Sequence, residues 1–146
     1  MSVKPETRRQ RRIRKAIEGA FPLCWWVKIH GNEFMPSGLP DLIGTVDGLF
    51  FAFEVKEPDG TLADIQDETI DDIRKAGGIA AVVEEPWEAI ALIHEARRLS
   101  AEGRHLFGGA GWVRAVLRAK NRKNMDKYRP LGIRKRTGSI VRSPVK

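Results

Sequence analysis

The sequence predicts a mixed α/β domain of order α-β-β-β-α-β-α, a mixed sheet flanked by helices, and three observations carry that prediction. The chain opens on an amphipathic segment with helical period. Asp47-Gly48 separates two apolar runs of strand length. A β-rich run at 79–83 lies between two helical stretches.

The first helix spans about Pro5 to Phe21. Ile13, Ile17 and Phe21 recur every four residues, and the same face extended backwards meets Gln10 and Glu6. At 100° per residue Glu6, Gln10, Ile13 and Ile17 fall within about 60° of one another, whereas Glu18 lies about 120° from Glu6. Glu6 is therefore the acid that can look inward, with Glu18 as its rival. The arginines take most of the other directions, as a solvated face or as a surface for phosphates. Pro22 closes the helix, and a β-rich run follows at Leu23 to Ile29 with Trp25 and Trp26 inside it. Both tryptophans have the rings to stack on bases, but adjacent strand residues face opposite ways, so core packing is the expected role of at least one. Residues 31–38 hold too many turn formers for regular structure.

Strands follow at about Asp41 to Val46 and Leu49 to Val55. With Asp47 and Gly48 as a two-residue hairpin loop, Val46 faces Leu49, Ile43 faces Ala52 and Asp41 faces Glu54. After a turn at 57–60, Thr61 and Asp64 have capping-box spacing for a helix running to about Ala76, which Gly77-Gly78 ends. Leu62, Ile65, Gln66, Thr69 and Ile73 lie close to one face of it. A strand at Ile79 to Val83 precedes a helix from Trp87 to about Leu99, with Pro86 suited to its first turn.

Residues 1–107 are expected to form the compact domain. Residues 108–146 read as a glycine-rich linker and a basic extension that holds one short helix around Trp112, Val113, Val116 and Leu117. The formal net charge of +7 is unevenly spread: from Trp112 onward there are 12 Lys or Arg, Arg118, Arg122 and Lys123 among them, against Asp126 alone. The rest of the chain is net acidic, yet Lys4, Arg8, Arg9, Arg11, Arg12, Arg14 and Lys15 crowd its N-terminal end. Basic ends on an acidic body point to a polyanion, most simply nucleic acid. No apolar run approaches the roughly 20 residues of a membrane span, and an arginine-rich start with no apolar stretch behind it is not a signal peptide. A cytoplasmic protein is expected. The lone Cys24 excludes an internal disulfide framework and reads as a small buried hydrophobe.

The chemistry concentrates in Asp41, Glu54 and Lys56. Directly opposed residues have Cβ atoms roughly 4.5–5.5 Å apart, and Lys56, two beyond Glu54, shares its face. Opposed carboxylates weaken a hairpin unless a cation lies between them. Magnesium or manganese fits hard oxygen donors, stabilises charge on phosphoryl oxygens and lowers the pKa of a coordinated water. The lysine can orient that water or compensate charge. Singly, each residue reads as a turn or a strand end; jointly, in the predicted register, they read as a site. Lys28 and His30 alternate to one side of the first strand as phosphate contacts, although a lone histidine is more often structural. His94 and His105 have no motif around them.

Glu6-x3-Gln10, Lys28-x-His30-Gly31, the run from Ser37 to Gly44 with Pro40-Asp41 inside it, Phe53-Glu54-Val55-Lys56, and Gln66 followed by Gly77-Gly78 resemble the virus-type replication-repair nuclease (VRR-NUC) family of the PD-(D/E)xK nuclease superfamily. The resemblance covers roughly residues 5–95. It implies a restriction-endonuclease-like αβββαβ core, here with a further C-terminal helix and a basic tail. It implies an Mg2+- or Mn2+-dependent endonuclease acting on DNA in phage or bacterial replication, recombination or repair, resolvase-like in its choice of branched structures, and leaving a 5′-phosphate and a 3′-hydroxyl. Asp41 and Glu54 would hold metal together with the Val55 main-chain carbonyl, supplemented by Glu6. Lys56 would be the catalytic lysine and Gln66 the supporting glutamine. A homodimer is implied by this analogy alone. The reading from a different class is a catalytically silent DNA-binding module, against which the intact Asp41, Glu54 and Lys56 set argues.

Overall fold

The computed structural model describes residues 3–58, 64–103 and 110–119, with the side chains at 64–66, 110, 111 and 119 outside that description. The elements are α1 (Pro5–Ala20), β1 (Cys24–Lys28), β2 (Leu42–Val46), β3 (Leu49–Val55), α2 (Asp64–Lys75), β4 (Ile79–Val83), α3 (Pro86–Ala101) and α4 (Ala110–Ala119). The strands form one four-stranded sheet in the order β1-β2-β3-β4. The first two pairings are antiparallel and the last is parallel. This is the expected αβββαβ mixed-sheet core with helices after it.

The β2–β3 hairpin turns on Asp47 (φ 51°) and Gly48 (φ 76°), both in the left-handed region that a type I′ turn requires. Its register is the predicted one, with Val46 opposite Leu49, Ile43 opposite Ala52 and Leu42 opposite Phe53. The α3 residue Arg97 forms an ion pair with Asp47 and lies 5.3 Å over the Phe21 ring, tying the turn to the helix layer. His94 packs on the same ring at 4.8 Å, an ordinary structural histidine.

The two faces of the sheet are dressed differently. Phe51, Phe53 and Val55 of β3 meet Ile13 and Ile17 of α1 and Ile90 and Ile93 of α3 in the main core. Ala52, one residue out of phase, meets Ile70 of α2 and Ala80 of β4 in a smaller cluster on the other face. Thus α1 and α3 form one layer and α2 the other. The tryptophans divide as strand alternation requires: Trp26 is buried and stacks on Phe53 at 5.6 Å, while Trp25 is exposed. Trp26 lies over Gly44, where a Cβ would come within 2.3 Å of its ring and 2.4 Å of the Trp25 carbonyl. Half-buried Cys24 has its thiol pKa raised by burial, which makes it a poor nucleophile.

Gly77 (φ 94°) and Gly78 end α2 as predicted, with the Gly78 N–H donating to the Ile73 carbonyl at 2.9 Å. Pro86 opens α3, and Glu85 and Glu88 form a reciprocal capping box that the sequence reading did not single out. The helix expected inside the basic extension is α4. Val113 and Val116 are buried in the main core, so this helix is part of the packed body and the extension proper begins after it. The Thr61 cap, the linker at 108–109 and the residues after Ala119 lie outside the described residues. Among the described residues no helix is long and apolar enough to cross a membrane.

Candidate active site at the end of the sheet

Asp41 closes the loop between β1 and β2. Its carbonyl accepts from the Ile29 N–H at 2.8 Å, which extends the β1–β2 pairing by one step. Its carboxylate turns across to β3, where Oδ2 accepts from the Val55 N–H at 2.8 Å. For this reason β2 starts at Leu42, one residue later than the sequence suggested: the side chain, not the main chain, satisfies the Val55 amide. Asp41 and Glu54 still meet, as the register predicts.

Glu54 is the one fully buried acid among the described residues, with 1% of its side chain exposed. The Lys56 Nζ stands 3.3 Å from its Oε1, itself 20% exposed. Burial, followed by the charge of Asp41, pushes the Glu54 carboxyl up to about 7, while Lys56 and the Asp41 backbone N–H pull it down. Asp41 is also raised, first by burial and then by the charge of Glu6, against the lowering effect of the Val55 N–H and Lys56. One ammonium group thus offsets two crowded carboxylates only in part.

That imbalance, with hard oxygen donors at its centre, suits a divalent cation. Among the described residues no group of three or more His, Cys, Asp or Glu is placed to hold a metal ion.

Glu6 approaches differently from the expectation. It lies on α1, which packs on the sheet face opposite to Ala52 and Glu54. It is exposed, and its charge is felt at Asp41. Glu18 is paired with Arg14 at 2.7 Å and does not join the site. Gln66 is in the first turn of α2, with its side chain outside the description. Lys28 pairs in register with Leu42, so it faces the α1 layer rather than the Glu54 face; His30 is exposed just beyond the strand. Both are at the site end of the sheet, but not over it.

Of the basic residues, Arg8 is exposed, and Arg12 pairs with Glu85 Oε2 at 2.8 Å while remaining largely exposed. Arg118 is exposed on α4, whereas Arg122 and Lys123 lie outside the described residues. Arg9, expected among the solvated or phosphate-facing arginines, is instead a half-buried anchor. Its guanidinium binds Glu57 Oε2 at 3.0 Å and Glu85 Oε1 at 2.9 Å and also donates to the Glu84 carbonyl. The signal was present: Arg9 is four residues before Ile13, so it lies on the buried stripe of α1 and not on its solvated side.

No protein-family model matches the chain, and no curated protein matches it. Among solved structures it is similar to Hjc, a Holliday junction resolvase from the archaeal hyperthermophile Archaeoglobus fulgidus. The identity is 20%, the coverage 54% of this chain and 67% of that one, and the TM-score 0.41. A likeness that partial adds no weight, and the fold stands on its own strand order and register.

Proposed function

We propose that the protein is a metal-dependent nuclease that hydrolyses phosphodiester bonds in DNA, with VRR-NUC-like chemistry at Asp41, Glu54 and Lys56. The observation that carries this reading is the meeting of two carboxylates at one sheet end, only partly neutralised by a lysine 3.3 Å from Glu54. Mg2+ or Mn2+ held by Asp41, Glu54 and the Val55 carbonyl, with Glu6 supplementing, supplies Lewis-acid stabilisation of the phosphate charge. The chain does the positioning. The Val55 N–H orients Asp41 through Oδ2. The Lys56 Nζ orients the attacking water and places positive charge beside the phosphoryl oxygens. Gln66, in the first turn of α2, is the glutamine that supports that arrangement in this reading. Arg8, Arg12, Lys28, His30 and the basic residues from Arg118 onward hold the DNA backbone.

Purified protein should cut DNA in Mg2+ or Mn2+ and not in EDTA, tested on linear, nicked, flapped and four-way substrates. Asp41→Ala and Lys56→Ala should still bind DNA and cut it at least about a hundredfold more slowly. Wild type that binds these DNAs and cuts none of them would leave a silent DNA-binding module as the better description.

A further inference from the structure

The register across the first three strands puts Trp25, Thr45 and Phe50 in one row. Phe50 is four residues from Glu54 on the same strand, so the row lies on the face that carries the candidate active site. Among the described residues α2 covers this face over Ala52 and Ala80, towards β4, and leaves the β1 side open. Trp25 is 59% exposed, Phe50 44%, and Leu23, next along the same side of β1, 87%. Half-buried Val27 and Ile43 continue the apolar surface from this row towards Asp41. The core does not need these rings, since Trp26, Phe51 and Phe53 fill it from the opposite face. Phe50 is nevertheless held in place. It rests against Gly78, where a Cβ would come 3.0 Å from its ring, so one edge is backed by the chain while the ring stays open to solvent. Clustered exposed aromatics of this kind mark an interaction surface.

We propose that Trp25 and Phe50 form a stacking platform for unpaired nucleobases of the strand whose phosphate occupies the Asp41–Glu54 site. This rests on the nuclease reading and specifies its substrate as DNA with single-stranded character beside the cleavage point. Four strand residues from Glu54 to Phe50 span about 13 Å. That is about four steps of a stacked strand at 3.4 Å each. A base inside a duplex already has both faces covered, so an aromatic platform at that distance can engage only a base that is out of the stack. Charge selects the occupant. The basic ends that give the chain its formal net charge of +7 attract a polyanion, and the half-buried Val27 and Ile43 join the row to the phosphate site, which favours the strand bound there as its occupant.

The test uses the full-length protein in EDTA, so that binding is read without cleavage. Labelled oligo(dT) and a blunt duplex of equal length are titrated with wild type, Trp25→Ala/Phe50→Ala and Trp25→Phe. The double variant should lose about tenfold or more in affinity for oligo(dT), while its duplex affinity and thermal midpoint stay unchanged. Trp25→Phe should keep the affinity and lose most of the tryptophan quenching that oligo(dT) produces in wild type. Equal losses on both DNAs, or no loss on oligo(dT), overturn the proposal. So does a dimer in wild type that becomes a monomer in the double variant with single-strand affinity intact. If wild type cuts DNA and the double variant binds and cuts flapped substrates equally well, this inference falls and the nuclease reading stands. If wild type neither binds nor cuts DNA, both fall.

Discussion

Glu54 sets the energetics of the site. Its carboxyl, held up to about 7 against an ordinary 4.5, binds a proton more tightly in the folded chain than in the unfolded one. The associated stability is fully present below about 4.5 and is lost as pH rises through about 7. Asp41, raised for the same first reason, adds in the same direction. Metal-free protein should therefore be less stable at pH 8 than at pH 5, by an amount on the order of 2–3 kcal/mol from Glu54. Thermal melts in EDTA should show this slope reduced in Glu54→Gln, and Mg2+ should restore stability at pH 8 in wild type alone. An unchanged slope in the variant would mean that other groups carry it. This part of the site was legible in the sequence because a two-residue turn fixes register, and register alone decides which carboxylates oppose. The side-chain bond from Asp41 to the Val55 amide was not legible, since residue type does not tell whether an aspartate at a strand start faces a metal, a peptide N–H or both.

Among the elements, β2 shows how a short motif can serve packing and chemistry together. Gly44 closes the run that resembles the nuclease motif, yet its own surroundings are Trp26 and the Trp25 carbonyl, with no room for a methyl group. Gly44→Ala should destabilise the fold by about 3 kcal/mol, because the ring and a backbone carbonyl must both move. Urea denaturation would measure it, and a loss below about 1 kcal/mol would show that the sheet relaxes around the change. Elements with strong local signals were readable to within a residue or two: the Asp47-Gly48 hairpin, the Gly77-Gly78 helix stop and the strand at Ile79–Val83. The layer to which α1 belongs was not. Helical phase says which residues of α1 face inward, but only tertiary packing says that inward means the face opposite to Glu54.

At the scale of the molecule, the boundary between body and basic extension moves. With Val113 and Val116 in the core, a truncation at residue 111 would remove packing as well as charge. Deleting 120–146, which carries ten Lys or Arg against Asp126, should weaken DNA binding and flatten its dependence on salt. Unchanged salt slopes would assign that segment to a partner other than DNA. The sequence showed the charge asymmetry but not this boundary, because a helix flanked by glycines and arginines resembles a tail until its apolar stripe has a surface to meet. Arg9 joins the whole from the other end. Its guanidinium meets Glu57 and Glu85, 48 and 76 residues further on. Loop-closure entropy grows only with the logarithm of length, so the farther anchor costs about 0.4 kcal/mol more than the nearer one. In a chain with a single cysteine, this one side chain is the non-covalent counterpart of a double cross-link, securing the first helix to the strand end that carries Lys56 and to the start of α3.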